Sequence, residues 1–201
     1  MPDKHPVMPW DQQLAQRLVA PFRNTPLHPN HLTLLTLILG QYAAWTFAFA
    51  MDLAWLAALS YMLAVFSDHL DGELARLSGK TTRFGHDFDF ITGGLNYTAL
   101  FIGIGIGLQE HWALLLGLAA GLCNPAILML RMRMERRFGA RSVAHPAFAG
   151  FEIEDFIYLI GPITWLAGIV YFFIPFALGN IAYLGWTLLE FRRWKQKSGG
   201  A

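Results

Sequence analysis

The sequence predicts an all-α integral membrane protein with six transmembrane helices and an N-terminal interfacial amphipathic helix, on three observations. Of its 201 residues 55% are hydrophobic and 14% charged, whereas a soluble domain is about a quarter charged. Four long stretches, residues 32–51, 90–108, 112–130 and 156–189, contain no Asp, Glu, Lys or Arg. All 15 Lys and Arg fall on one side of the membrane that these stretches define. A bilayer core about 30 Å thick takes roughly 20 apolar residues as a helix, because only a helix or a closed barrel satisfies its own backbone in hydrocarbon.

The elements follow in order. Over residues 9–23, Trp10, Leu14, Leu18 and Phe22 recur at helical spacing with Asp11, Gln12, Gln16 and Arg17 between them, which predicts an amphipathic helix lying in the interface. The alternative is a soluble capping helix packed on the loops. Pro26 and Pro29 break the chain, and Pro29-Asn30-His31-Leu32-Thr33 opens the first span, 32–51. The second, 53–78, starts apolar and runs helically into a charged segment. The third and fourth cover 86–108 and 112–132. Residues 156–189 are too many for one span, and Ile174-Pro175 and Gly179-Asn180 are turn signals, so two helices are expected, 153–173 and 175–191. Gly103, Gly105 and Gly107 repeat every second residue, a pattern for tight helix packing, with Gly103 and Gly107 the one GxxxG pair. The whole chain, 1–201, reads as a single membrane domain without repeats. Residues 1–8 lack a signal-peptide pattern, and the mature chain is expected to begin near Met1. Cys123, the single cysteine, can build neither a disulfide framework nor a zinc site.

Orientation follows from the basic residues. Lys4, Arg17 and Arg23, then Arg76, Lys80 and Arg83, then the run Arg131 to Arg141, then Arg192, Arg193, Lys195 and Lys197 all become cytoplasmic if both termini are. The opposite loops are short and carry none, the situation in which the positive-inside rule applies. This predicts a multi-pass protein of the cell (inner) membrane, its basic face attracting anionic headgroups at about 1 kcal/mol per basic residue. No nucleic-acid partner is expected.

Asp68, Asp71, Glu73, Arg76, Asp87 and Asp89 lie between two apolar helices, where a carboxylate costs several kcal/mol unless paired or metal-bound. Asp68 and Asp71 are i, i+3, about 60° apart on a helix, so both project from one face. Grouped hard oxygens suit Mg²⁺ or Mn²⁺ rather than zinc. Gly72 and Gly85 leave room for a substrate to approach the backbone.

Asp68-x-x-Asp71-Gly72-x-x-Ala75-Arg76, with Gly85 after eight residues and Asp89 after three more, resembles the signature of the CDP-alcohol phosphotransferases, D-x-x-D-G-x-x-A-R-x8-G-x3-D-x3-D. Seven of eight fixed positions agree. The Pro-Asn-x-Leu-Thr opening and the six-span layout are also similar to that family, over roughly residues 25–194. The resemblance implies transfer of a substituted phosphate, phosphatidyl above all, from a CDP-linked lipid such as CDP-diacylglycerol to an alcohol acceptor, with release of CMP in phospholipid biosynthesis. It implies one or two Mg²⁺ or Mn²⁺ ions on Asp68, Asp71 and Asp89, a cytidine pocket at Gly72, Ala75 and Gly85, Arg76 facing donor phosphate, an active site on the cytoplasmic side and a homodimer. Paired metal and arginine would neutralise a pyrophosphate and the charge developing on CMP.

The departure lies at the eighth position, where the family's aspartate, its general base, is replaced by Gly93. His86, i−3 from Asp89, is the preferred substitute, an imidazole being the side chain best suited to take a proton at neutral pH. Asp87, about 200° from Asp89, points elsewhere. Asn96 could ligate metal or bind acceptor, and Glu152, Glu154 and Asp155 could reach inward; the residues leave these open. The run Arg131 to Arg141 serves as a topological anchor or binds an acceptor phosphate. His69 and His145 read as surface residues. The rival is a non-catalytic member that binds CDP-lipid or metal. A small transporter is disfavoured, since ionisable residues deep in the spans are almost absent.

Overall fold

A computed structural model describes residues 10–139 and 153–199 of the chain. The described residues form seven α-helices and no strand: α1 (Trp10–Val19), α2 (Pro29–Phe49), α3 (Ala54–Ser78), α4 (Arg83–Gly107), α5 (His111–Phe138), α6 (Ile160–Leu166) and α7 (Ile169–Gly199). Five helical stretches, around α2, α3, α4, α5 and α7, are long and apolar enough to cross a membrane. The chain is an all-α, multi-pass integral membrane protein.

Helix α1 lies against α3 with Asp11, Ala15 and Val19 buried. Its apolar stripe, Trp10, Leu14, Leu18 and, in the 3₁₀ turn Ala20–Phe22 that continues it, Phe22, stays exposed. Asp11, Ala15 and Val19 thus face protein, while the large apolar residues and Arg17 face outward.

α2 begins at Pro29, whose missing N–H is one of the helix's orphan donors anyway. Two histidines cap it reciprocally: His28 Nδ1 accepts from Asn30 N at 3.2 Å, and His31 Nδ1 from His28 N at 3.4 Å. α2 packs on both α3 and α4, and α4 on α5. The alternating glycines of α4 serve two partners. Gly103 and Gly107 meet the Ala44 and Phe47 carbonyls of α2, while Gly105 faces the Ala113 carbonyl of α5. A side chain at any of them would strike backbone, so the close α2–α4–α5 layering depends on their absence.

α3 ends at Gly79, φ 65°, a left-handed cap that glycine adopts without strain. Thr82 then caps α4, its Oγ1 accepting from Gly85 N at 2.9 Å. Lys80 Nζ, in the turn, donates to Thr25 O at 2.8 Å and Leu27 O at 3.0 Å. The α3–α4 turn is thereby fastened to the segment that leads into α2.

The two predicted C-terminal spans, 153–173 and 175–191, are divided elsewhere. The break falls at Ala167–Gly168, where Gly168 takes φ 103°, and α7 runs unbroken through Pro175 and Gly179-Asn180. Pro175 follows the helix start by only six residues, and the Asn180 side chain donates to Ala120 O at 3.0 Å, tying α7 to α5 instead of turning the chain. Ahead of the break stands a shorter apolar piece, Phe156–Leu166.

Candidate metal and nucleotide site

Four residues of α3 are placed by its periodicity. Asp68, Asp71, Gly72 and Ala75 stand at i, i+3, i+4 and i+7, one face of a helix. On α4, Gly85, Asp89, Gly93 and Asn96 are spaced four, four and three apart and form a second stripe. The α3–α4 turn brings the two stripes together at the same end of the bundle. One carboxylate oxygen from each of Asp68, Asp71 and Asp89 lies within 4.8 Å of the other two. Asp71 is buried, and Asp68 and Asp89 are partly so.

One carboxylate oxygen of Asp89 and one of Asp68 face each other within 4.8 Å across the α3–α4 gap. Like charges that close favour a proton or a cation between them. Three convergent hard-oxygen donors at the rim of an apolar bundle fit a divalent cation of the Mg²⁺ or Mn²⁺ type, and among the described residues no nitrogen or sulfur ligand joins them.

Small residues flank the cluster. A Cβ on Gly85 would stand 3.1 Å from both Asn30 Oδ1 and Thr82 Oγ1, and one on Gly72 would stand 3.4 Å from Arg76 Nη2. Arg76 is exposed and folds back along α3 to pair with the buried Glu73. Its guanidinium thus lies over Gly72, beside the carboxylates but not inserted among them.

His86 is exposed in the first turn of α4, one turn before Asp89, and Asp87 is exposed beside it. Asn96 is buried and already bonded: Nδ2 donates to Thr36 O at 2.9 Å, and Oδ1 accepts from Gln41 Nε2 at 3.0 Å. It ties α4 to α2, and Gly40 makes the room, since a Cβ there would overlap the Asn96 amide. Its carbonyl oxygen is engaged by Gln41 and its amide by Thr36 O, so the side chain joins α4 to α2. Nothing lies within 4 Å of a Cβ built on Gly93. That open space belongs to a cavity of about 90 Å³, lined by Thr36, Tyr61, Asp68, His69, Asn96 and Tyr97 among others.

His69 is not the surface residue that its sequence context suggests. Its Nε2 lies 3.3 Å from Asp11 Oδ2, and its Nδ1 lies 3.2 Å from the Tyr158 hydroxyl. One imidazole therefore joins α1, α3 and the segment before α6. Arg131 also departs from a loose anchor. Largely buried, it sits 3.9 Å from Glu190 and 5.1 Å from the Tyr183 ring centroid, both on α7, while Arg133, Arg136 and Arg137 are exposed. Arg141, His145 and Glu152, and the side chains of Glu154 and Asp155, lie outside the described residues.

The site also contains a residue that periodicity does not single out. Thr33 of α2 donates its hydroxyl to Asp71 Oδ2 at 2.6 Å. A threonine in an apolar span carries no mark of its own, and its place four residues after Pro29, in the motif that opens the helix, is the one hint the sequence offers.

Residues 26–190 match the CDP-alcohol phosphatidyltransferase family. The archaetidylinositol phosphate synthase of Pyrococcus horikoshii is 27% identical over 106 residues, 53% of this chain and 55% of that protein. The bifunctional IPC transferase and DIPP synthase of Aquifex aeolicus is 30% identical over 144 residues, 71% of this chain and 31% of that protein. The chain thus spans about half or less of the curated relatives it matches. In three dimensions it is similar to the crystal structure of Mycobacterium tuberculosis phosphatidylinositol phosphate synthase (PgsA1) with CDP-DAG bound, with a TM-score of 0.60, 18% identity, and coverage of 93% of this chain and 92% of that one; at that identity the likeness speaks to fold. With a family match across most of its length and the carboxylates of the signature gathered at one point, this chain belongs to the CDP-alcohol phosphatidyltransferase family.

Proposed function

We propose that the protein transfers a substituted phosphate group, phosphatidyl above all, from a CDP-linked lipid donor such as CDP-diacylglycerol to the hydroxyl of an alcohol acceptor, releasing CMP. The observation that carries this reading is the convergence of Asp68, Asp71 and Asp89 from two neighbouring helices within 4.8 Å. A bound Mg²⁺ or Mn²⁺, one ion or two, would supply charge neutralisation for the donor's pyrophosphate.

The chain's own residues have distinct tasks. Asp68, Asp71 and Asp89 would hold the cation. Gly72, Ala75 and Gly85 keep the two helix faces low enough for a cytidine to lie against backbone, with Asn30 at its edge. Arg76, exposed and hinged on Glu73, swings to the donor phosphate, where its planar fork matches the oxygens. Fixed charges aimed at the leaving CMP, together with the orientation of the acceptor, carry most of the acceleration. His86, one turn from Asp89 and open to solvent, is the proposed acceptor of the alcohol proton. The reaction is assigned to the cytoplasmic face of the cell membrane, both termini on that side, from the one-sided basic residues.

A second reading is favoured by one observation: at the position of the family's fourth aspartate stands Gly93, with open space around it. In that reading the protein binds CDP-lipid and metal without transfer. Purified protein in nanodiscs with CDP-diacylglycerol, Mn²⁺ or Mg²⁺ and a panel of alcohols, including glycerol phosphate, inositol and serine, separates the two. CMP release that depends on an acceptor supports transfer. Donor binding without release from any acceptor supports the second.

A further inference from the structure

Thr33 Oγ1 lies 2.6 Å from Asp71 Oδ2 and 3.4 Å from Pro29 O. A hydroxyl has one proton to donate, and the shorter contact has the length of a charge-assisted O–H···O⁻ bond, so the carboxylate receives it. Both residues are almost sealed from solvent, at 2% and 4% exposure. An aspartate on a helix turns about two side-chain torsions, whereas a metal ligand must present its lone pair in a narrow range of directions. Outer-shell hydrogen bonds commonly provide that restriction.

The hydroxyl is itself held in place. Ser67 Oγ donates to Leu32 O at 3.3 Å and Ser60 Oγ to Leu39 O at 3.0 Å, so α2 and α3 are tied in register on either side of Thr33. Lys80 fastens the segment leading into α2 through Thr25 O and Leu27 O. With these ties present, the Thr33–Asp71 bond is not needed to dock the helices. What it sets is the rotation of one carboxylate.

We infer that Thr33 is a positioning residue for the transfer reaction, its hydroxyl locking the Asp71 carboxylate in the orientation that receives a divalent cation. The inference rests on the reading of Asp71 as a metal ligand. It makes the first transmembrane helix, which contributes no carboxylate, a third wall of the metal site.

Mn²⁺ binding to the full-length protein in nanodiscs, followed by the EPR signal of free Mn²⁺, tests it with Thr33→Val, Thr33→Ser, Asp71→Asn and the Thr33→Val/Asp71→Asn double variant. Thr33→Val should weaken binding about 10- to 100-fold. Thr33→Ser, which keeps the hydroxyl, should remain near the parent. The double variant should bind no more weakly than Asp71→Asn alone, because the two changes remove one interaction. In CMP release, Thr33→Val should raise the Mn²⁺ concentration for half-maximal rate while kcat at saturating Mn²⁺ largely returns. Thr33→Ala replaces Thr33→Val if the latter melts early without metal. If Asp71→Asn loses Mn²⁺ and Thr33→Val and Thr33→Ala bind it as the parent does, the positioning role is overturned. If Asp71→Asn itself binds normally, the metal assignment has failed first and the inference falls with it.

Discussion

His69 and Asp11 meet at 3.3 Å between Nε2 and Oδ2, and the aspartate has no exposed surface. A carboxylate on an otherwise amphipathic helix is thereby turned inward, toward a histidine next in sequence to Asp68 of the candidate metal site. The contact has ion-pair distance, and Gln12 N also donates to Asp11 Oδ1 at 2.8 Å. Through it α1 is fastened to α3.

Removing that carboxylate should loosen α1. Asp11→Ala is expected to destabilise the protein by about 1.5–3 kcal/mol, the range for hydrogen bonds to charged groups, read as a lower melting temperature by fluorescence-detected unfolding in detergent. Leu14→Ala, on the exposed stripe, should leave that melt nearly unchanged and weaken lipid association instead. Equal melting of Asp11→Ala and the parent would show that α1 is held by something else.

The three aspartates should behave as a unit. Asp68→Asn and Asp89→Asn are each expected to lower CMP release by about 10²-fold or more, since every tenfold corresponds to about 1.4 kcal/mol and cation stabilisation contributes several. Raising Mn²⁺ should recover part of the rate. A variant that retains the parent's metal response would take its residue out of the ligand set.

Gly93 offers a gain-of-function test. A Cβ on Gly93 would meet nothing within 4 Å and would face a cavity of about 90 Å³, so Gly93→Asp should fold. It should raise turnover about 10²- to 10⁴-fold if proton removal limits the rate. Gly93→Ala should stabilise by about 0.5–1 kcal/mol, as expected for Gly to Ala inside a helix with room. A Gly93→Asp protein that folds and turns over no faster would assign proton removal to a group already present, and His86→Ala would then be the variant to measure.

Other glycines should respond in the opposite sense. Gly103→Ala and Gly107→Ala would push a methyl group into the Ala44 and Phe47 carbonyls, so α2 and α4 must separate, at a cost of about 1–3 kcal/mol each. Melting temperatures of the three alanine variants should therefore divide, Gly93→Ala above the parent and the other two below. All three moving together would mean that helix propensity, not packing, governs these positions.

Much of this was legible along the chain. Asp68, Asp71, Gly72 and Ala75 share a face because of helical periodicity alone, and the motif's spacing carried the family. The division of the last apolar stretch was not legible. Proline and Gly-Asn are turn signals in water, yet near the start of a long helix Pro175 fits α7, and Asn180 finds a carbonyl on α5. Gly168, which turns the chain with a positive φ, looks in sequence like any other glycine in an apolar run. His69 could not be read correctly either, because its partners Asp11 and Tyr158 are 58 and 89 residues away.

By itself the sequence determined the membrane class, the helical character of the chain and which residues lie on the same face, because hydropathy and helical period are local properties that hold wherever the helix is placed. Only the tertiary structure decided that Asp89 meets Asp68, that Thr33 holds Asp71, that Asn96 is spent on α2, and that Gly93 opens onto a cavity. Those are contacts between different helices. Their existence depends on the angle and depth at which the helices pack, which glycines, cross-helix hydrogen bonds and a lysine-fastened turn set together and which no single segment encodes.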